Sequence, residues 1–403
     1  MAPFLPMGAR PELLLAGGRG AVLIDTAGRR LLDTTAGLGQ CAVGYGRAEL
    51  AEAAAAQMRA LAFFPLAGAA TEAALRLADR LVELGPAAMS RVLFTSGGSE
   101  GVETAIKLAR LAWHHQGEAD RQVILTRHGA YHGATSAAPG ASGIAAFQHG
   151  FGPPSPGFVH LSPAHARPLG ANATDVLVAE LEESIEEVGA RRIAALLAEP
   201  IMGMAGMIPP PPGYWPRVQE VLRRHGILLI TDEVATGYGR AAWFAAAHFD
   251  LAPDLLVTAK ALTSGYVPMG AVLAADRVQD MLGGQPLMHL FTFGGHAAAA
   301  AVALANLDLI EGEGLIERAA ELGARVLAEL GALSDRPRVA EVRGAGLMLA
   351  IELTEPMPGL KARAIAAGIL LRPVGDRVVL TPPLVLTDEQ AERITAFLIA
   401  NLR

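Results

Sequence analysis

The sequence predicts an α/β protein with a mostly parallel, doubly wound sheet and a smaller α+β domain, and three observations predict it. Apolar runs of strand length at 91–95, 122–126, 193–198, 226–234 and 253–260 alternate with segments of helical spacing. Such near-continuous runs suit strands buried on both faces, which belong to parallel sheets covered by helices. Hydrophobic residues are 52% of the 403 and charged ones only 18%, enough to bury a large core and a second, smaller one. Beyond Ile310 the pattern changes to a helix, alternating strands over 340–352 and 368–380, and a last helix after Thr387-Asp388-Glu389. The expected division is an N-terminal segment, 1–55, that joins the small domain, a large domain, 56–300, and a C-terminal small domain, 301–403.

In chain order, Ala21–Asp25 and Arg30–Asp33 read as a hairpin closed by Thr26-Ala27-Gly28-Arg29. The following stretch to Gly46 is glycine-rich and irregular, a kind of loop that lets backbone pass close to a ligand. Arg47–Ala60 and Thr71–Leu84 read as helices from content and spacing, with Phe63 and Phe64 between them. Strand Arg91–Thr95 runs through Ser96-Gly97-Gly98-Ser99-Glu100 into an amphipathic helix with Val102, Ala105, Ile106 and Ala109 on one face. That junction has two readings. It is a phosphate cradle, where glycines admit the ligand and the helix dipole favours an anion, or a plain Ser-capped helix start. The next strands lead to Tyr131-His132, to Glu199 and, after the Pro-rich loop Ile208–Pro216 and a helix ending at His225, to Asp232-Glu233. Pro253–Lys260 is the last apolar run of this set, and the helices 297–310 and 315–330 follow Phe291-Thr292-Phe293.

In doubly wound sheets ligands bind beyond the carboxyl ends of the strands. Gly98, Ser99, Tyr131, Glu199, Asp232 and Lys260 all fall there. An amine at the exit of a core strand is either snorkelling or kept, partly desolvated, as a nucleophile for carbonyls. Cradle, aromatic ring, carboxylate and lysine together fit pyridoxal 5'-phosphate, whose aldehyde needs an amine and whose ring nitrogen needs an acid to stay protonated. Lys260 supplies the first and Asp232 the second. A formal charge of -7 without a basic stripe speaks against a nucleic-acid surface. Cys41, the only cysteine, leaves no internal disulfide or thiolate metal cluster and suits a reducing cytoplasm. The histidines show no metal-ligand spacing, and no apolar window is long enough to span a bilayer. Small-molecule partners are expected, with no nucleic acid, membrane or metal.

From about Gly20 to its C-terminus the chain resembles the class III pyridoxal-phosphate aminotransferases of fold type I, and within them the ω-amine:pyruvate (β-alanine:pyruvate) branch. The motifs are Ser96–Glu100 with Val102-Glu103 and Ala105–Arg110, Tyr131-His132-Gly133, Glu199-Pro200-Ile201-Met202-Gly203, Asp232-Glu233-Val234 with Gly237 and Gly239-Arg240, and Lys260 with Gly265–Gly270. The resemblance implies that Lys260 holds the cofactor and then moves the proton, and that Asp232 pairs with the ring nitrogen. It further implies that Tyr131 and Val234 flank the ring, Glu199 lies on its hydroxyl side, and Gly98 and Ser99 hold the phosphate, with His132 in the same site. Thr292 is similar to the threonine that reaches the phosphate from a neighbouring subunit, so a homodimer is implied, with Phe63 and Phe64 lining the shared site. Relatives acting on ornithine-like substrates carry an arginine where this chain has Val379. Arg372 instead resembles the mobile arginine that swings in for a keto-acid carboxylate and out for an apolar amine. Gly39 stands where the branch often has tryptophan, which implies a wider pocket. The implied activity is ping-pong transfer from a primary amine or ω- or β-amino acid to pyruvate or another keto acid. An aminomutase or decarboxylase on the same fold shares every cofactor residue, and a non-catalytic cofactor-binding protein is the third reading.

Overall fold

A computed structural model describes residues 13–402. Pro3, Pro6 and Pro11, which break the apolar start of the chain, lie outside the described residues. Three strands come first, β1 (Leu15–Arg19), β2 (Val22–Asp25) and β3 (Arg30–Asp33). The turn between β2 and β3 is closed by the Asp25 carboxylate, which accepts from the Ala27 and Arg29 amides at 3.0 and 2.8 Å. No strand is predicted over β1, whose Gly-Gly core carries almost no apolar signal.

The central sheet contains β4 (Met89–Thr95), β5 (Val123–Arg127), β6 (Phe158–Leu161), β7 (Ile193–Ala198), β8 (Leu228–Asp232), β9 (Leu255–Thr258) and β10 (Gly270–Ala275). Its order is β4-β10-β9-β8-β7-β5-β6, with β10 antiparallel to both neighbours and β9, β8, β7, β5 and β6 paired in parallel. The expected doubly wound, mostly parallel sheet is the one observed. β7 and β8 are buried along their whole length, because helices cover both faces. The helix Gly98–His115 lies on one face through Val102, Ala105, Ile106 and Ala109, and Trp113 donates to the Ala194 carbonyl at 2.9 Å. β8 is shorter than the apolar run because the Val234 amide turns back to the Asp232 carboxylate at 3.1 Å.

β10 has no counterpart among the strands expected from sequence. Its Gly-Ala-Val-Leu-Ala-Ala composition is that of a helix, and pairing on both sides overrides the propensity. β6 and the helix Ala173–Val188 likewise have no counterpart in the apolar pattern. The loop before Tyr214–His225 ends earlier than expected, since Pro216 sits in that helix's first turn, where a missing amide costs nothing.

The C-terminal region holds β11 (Val339–Ala345), β12 (Met348–Leu353), β13 (Ile369–Leu370), β14 (Arg372–Val374) and β15 (Arg377–Leu380), and ends in the helix Asp388–Asn401, which Thr387 and Gln390 cap reciprocally. β11, β12, β15 and β14 make one antiparallel sheet, while β13 pairs in parallel with β3 and so joins both ends of the chain. Positions 55/56 and 300/301 fall inside the helices Ala48–Leu61 and Ala297–Gly312, which pack on each other. No helix of the described residues is long and apolar enough to cross a membrane.

The glycine-rich stretch after β3 contains a left-handed turn. Ala36, Gly37, Leu38 and Gly39 have φ of 44°, 57°, 71° and 79°, and the Gly39 and Gln40 amides donate to the Thr35 and Ala36 carbonyls at 2.7 Å. Left-handed helix costs an L-residue roughly 1–2 kcal/mol. Two glycines carry half of it, and Ala36 and Leu38 store the strain.

Candidate active site

The parallel strands deliver the expected side chains to one edge. β4 opens into the helix Gly98–His115, whose first-turn amides face that edge. The space above them is cut close: a Cβ on Gly98 would lie 2.9 Å from the Val234 methyl groups, and one on Gly133 would lie 2.5 Å from Ser99 Oγ. Ser99 Oγ accepts from the Ala134 amide at 3.1 Å, so the cradle loop and the Tyr131–Gly133 loop are locked together. Glu100 instead turns back to the Ser96 amide at 2.7 Å, closing the strand-to-helix turn.

The two acids after β8 have separate tasks. Asp232 is buried and accepts from His132 Nδ1 at 2.8 Å, which fixes that ring's tautomer with the proton on Nδ1. His132 is in turn held by its amide, which donates to Ser142 Oγ at 2.8 Å. Glu233 points the other way, accepting from Thr236 Oγ1 and from the Ala245 and Ala246 amides at 2.9 and 2.6 Å. Burial pushes its carboxyl up to about 7.

Glu199, at the end of β7, accepts from the Gly203 amide at 2.8 Å and more weakly from the Tyr131 amide at 3.4 Å. Burial raises its pKa, and Asp232 nearby adds to the rise against His132 and the two amides. The Tyr131 ring is tilted on Phe147, with centroids 5.0 Å apart. Phe147 carries no signal in the sequence, because it lies sixteen residues downstream at the end of a single 3-10 turn, Ala145–Phe147, too short for periodicity.

Lys260 follows β9 in a short 3-10 turn at φ 44°, a left-handed angle that non-glycine residues keep only where surroundings over-determine it. Burial lowers the pKa of its amine. Asp232 and Glu199 oppose that shift, while Arg240 and Arg372 reinforce it. The amine therefore lies within electrostatic reach of both acids and both arginines. Arg240 is fully buried, donates to the Pro382 carbonyl at 2.6 Å and is the atom group nearest to where a Gly39 side chain would begin, at 4.0 Å. Val379 is buried and Arg372 half-buried on the small sheet.

Thr292 and Phe64 are exposed, and Phe63 packs its ring on Phe293 and His296 at 5.6 and 5.4 Å. Among the described residues, no hydrogen bond or ring contact brings Thr292 to the cradle.

The arrangement fits pyridoxal phosphate on its own geometry: a helix start with no room for side chains at Gly98 and Gly133, a buried carboxylate oriented by histidine, and a partly buried amine just beyond β9 at the same strand edge. The sequence profile of the family described as aminotransferase class-III matches residues 7–402. Putrescine–pyruvate aminotransferase of Pseudomonas aeruginosa is 37% identical over 402 residues, covering 94% of this chain and 88% of that protein. The crystal structure of an (S)-enantioselective ω-transaminase from Thermomicrobium roseum superposes with a TM-score of 0.95 at 41% identity, over 98% of this chain and 95% of that one. An amine transaminase from an uncultivated Pseudomonas species, in its pyridoxal-phosphate-bound internal aldimine form, gives 0.95 at 38% identity, over 99% and 98%. The fold and site define a pyridoxal-phosphate-dependent transferase of fold type I. The chain belongs to the class III aminotransferases, with an amine donor and a keto-acid acceptor as substrates.

Proposed function

We propose that the enzyme is a homodimeric, cytoplasmic ω-transaminase moving the amino group of a primary amine or an ω- or β-amino acid to pyruvate or another α-keto acid. The observation that carries this is the placing of Lys260 just beyond β9, at the strand edge where Asp232 and Glu199 also stand, with an amine whose pKa burial lowers. Bound pyridoxal phosphate supplies the aldehyde that condenses with amines and the ring that withdraws electrons. Lys260 Nζ, its proton loosened by burial, is the amine that would hold the cofactor and would serve as the acceptor and donor of the migrating proton. Asp232, oriented by His132, would pair with the ring nitrogen. Gly98 and Ser99 would hold the phosphate, Tyr131 and Val234 would flank the ring, and Glu199 would lie on its hydroxyl side. Arg372 receives the acceptor carboxylate in a bidentate fork, and Gly39 leaves the donor pocket wide.

Met58, Leu61, Phe64, Leu290 and Phe293 are exposed, and the Phe63–Phe293 ring contact brings their two segments together, an exposed apolar grouping that supports the dimer. In that dimer Thr292 reaches the partner's phosphate site and Phe63 and Phe64 line it. The division at 55/56 and 300/301 then makes the helices Ala48–Leu61 and Ala297–Gly312 the links between domains. The test is the absorption spectrum of the holoenzyme with alanine, β-alanine and an arylalkyl amine added separately. Bleaching by a donor and recovery with pyruvate are expected; a band that no donor bleaches would overturn the reading.

A further inference from the structure

We propose that Arg377 is a positioning residue that locks the hairpin carrying Arg372 to the loop supporting Glu199, while Arg343, on β11 at the other edge of the same sheet, also holds that loop. This rests on the reading of Arg372 as the carboxylate-binding arginine. The two partners belong to different sheets: the loop leaves β7 of the central sheet, and the hairpin β14–β15 edges the C-terminal one.

The loop is built to present two carbonyls. Met202 and Ile208 exchange backbone hydrogen bonds at 3.0 Å each, and the Gly206 and Met207 amides donate to the Gly203 carbonyl at 3.0 and 3.1 Å. Within this closed loop the Gly203 amide holds the Glu199 carboxylate. Arg377 Nη1 donates to the Ala205 carbonyl at 2.6 Å, and Arg343 Nε to the Gly206 carbonyl at 2.8 Å. Arg343 is 5% exposed, and its Nη1 is pinned at 2.5 and 2.6 Å by the Glu341 and Glu352 carboxylates. Gly206 is the residue that admits both arginines. Its φ is 110°, and a Cβ there would lie 2.6 Å from Arg343 Nη2 and 2.7 Å from Arg377 Cδ.

Arg377 pairs with Val374 across the hairpin, and Arg372 pairs with Val379 two steps further along. At about 3.3 Å per residue, the clamp acts roughly 7 Å from the Arg372 position on a paired, stiff ribbon. Loss of the clamp frees the hairpin and so misplaces the Arg372 fork, whereas an apolar amine donor makes no use of that fork.

The experiment compares Arg377→Leu, Arg377→Lys, Gly206→Ala and Arg372→Ala as holoenzymes. It reads KM for pyruvate and for an arylalkyl amine, and hydrogen exchange of the segments 200–208 and 369–376 by mass spectrometry. Expected for Arg377→Leu is a pyruvate KM raised about tenfold, the scale of one lost charged hydrogen bond, with an unchanged amine KM and faster exchange in both segments. Arg377→Lys keeps a donor and restores most of the difference. Gly206→Ala displaces both guanidinium groups without removing a charge and reproduces the split even if Arg377→Leu does not fold. An unchanged pyruvate KM, an equal rise for both substrates, or unaltered exchange overturns the proposal. If Arg372→Ala leaves the pyruvate KM unchanged, the carboxylate reading itself falls and the clamp's role with it. If Arg372→Ala raises it and Arg377→Leu does not, only the clamp falls.

Discussion

Arg372 stands directly across the β14–β15 ladder from Val379. Cross-strand partners share a face, and Val379 packs with Ile201, Met207, Met348 and Ala350, so that face meets the segment just after Glu199. Two positions for an acceptor arginine are thus neighbours on one ribbon. Burial lowers the pKa of Arg372, and its charge in turn helps lower that of Lys260. Arg372→Ala is expected to raise KM for pyruvate by about 10- to 100-fold, the worth of a desolvated bidentate contact of roughly 1.5–3 kcal/mol. The KM for an apolar amine should stay within about twofold, an expectation of the same order. Steady-state kinetics with each substrate varied in turn checks the split.

Lys260→Ala removes the amine and leaves the rest of the site in place. The spectrum of the purified variant should lack the visible band of the holoenzyme, and turnover should fall below detection. Melting of the apoprotein should change little, because no hydrogen bond or ion pair ties the Lys260 side chain to a neighbouring element among the described residues. A variant that still transaminates would remove Lys260 from the chemistry.

Glu233 gives a pH dependence of stability with a definite sign. Its folded pKa, about 7, lies above the ordinary glutamate value of 4.5. The folded state therefore binds more protons between those values, and the stabilisation is complete below 4.5 and lost as pH rises through 7. Glu233→Gln should flatten the fall in melting temperature between pH 5 and pH 8 by an amount worth about 1–3 kcal/mol at the upper end, since a tenfold change in proton affinity is worth about 1.4 kcal/mol. Calorimetric melting across that range, wild type against variant, is the check; parallel curves would show that Glu233 is not the titrating group.

Much of this site could be read in the sequence because the strands end at or within two residues of the end of their apolar runs, so Lys260, Asp232, Glu199 and Tyr131 declare their edge by position. The same logic fails where identity is decided by contacts far away in sequence. β10 looks helical until β4 and β9 pair with it. Glu233 is adjacent to Asp232 and chemically equivalent to it, and only the Ala245 and Ala246 amides show that it caps a helix. Arg377 and Arg343 look like surface charges in alternating strands. Their target, two carbonyls of the Gly203–Met207 loop, lies more than a hundred residues upstream and carries no signal beyond Gly206. The left-handed turn at Ala36–Gly39 is legible only as glycine content, since Ala36 and Leu38 adopt φ values their side chains disfavour.

Gly133 tests the phosphate cradle without touching any charged group. Its φ of 130° is one that L-residues rarely adopt, and a Cβ would sit 2.5 Å from Ser99 Oγ and 2.9 Å from Ser99 Cα. Ser99 cannot yield, because its hydroxyl holds the Ala134 amide and its backbone is the first turn of a helix packed on the sheet. Gly133→Ala must therefore push the Tyr131–Gly133 loop outward, which shifts the first-turn amides of the helix Gly98–His115 and the tyrosine proposed to flank the ring together. Affinity of the apoprotein for pyridoxal phosphate, followed by fluorescence titration, should fall by at least about tenfold, or about 1.4 kcal/mol, while far-ultraviolet circular dichroism stays unchanged. Inorganic phosphate should protect the wild-type apoprotein against heat and protect the variant less, because the anion depends on the same amides. Equal protection of both proteins would mean that the phosphate is held elsewhere.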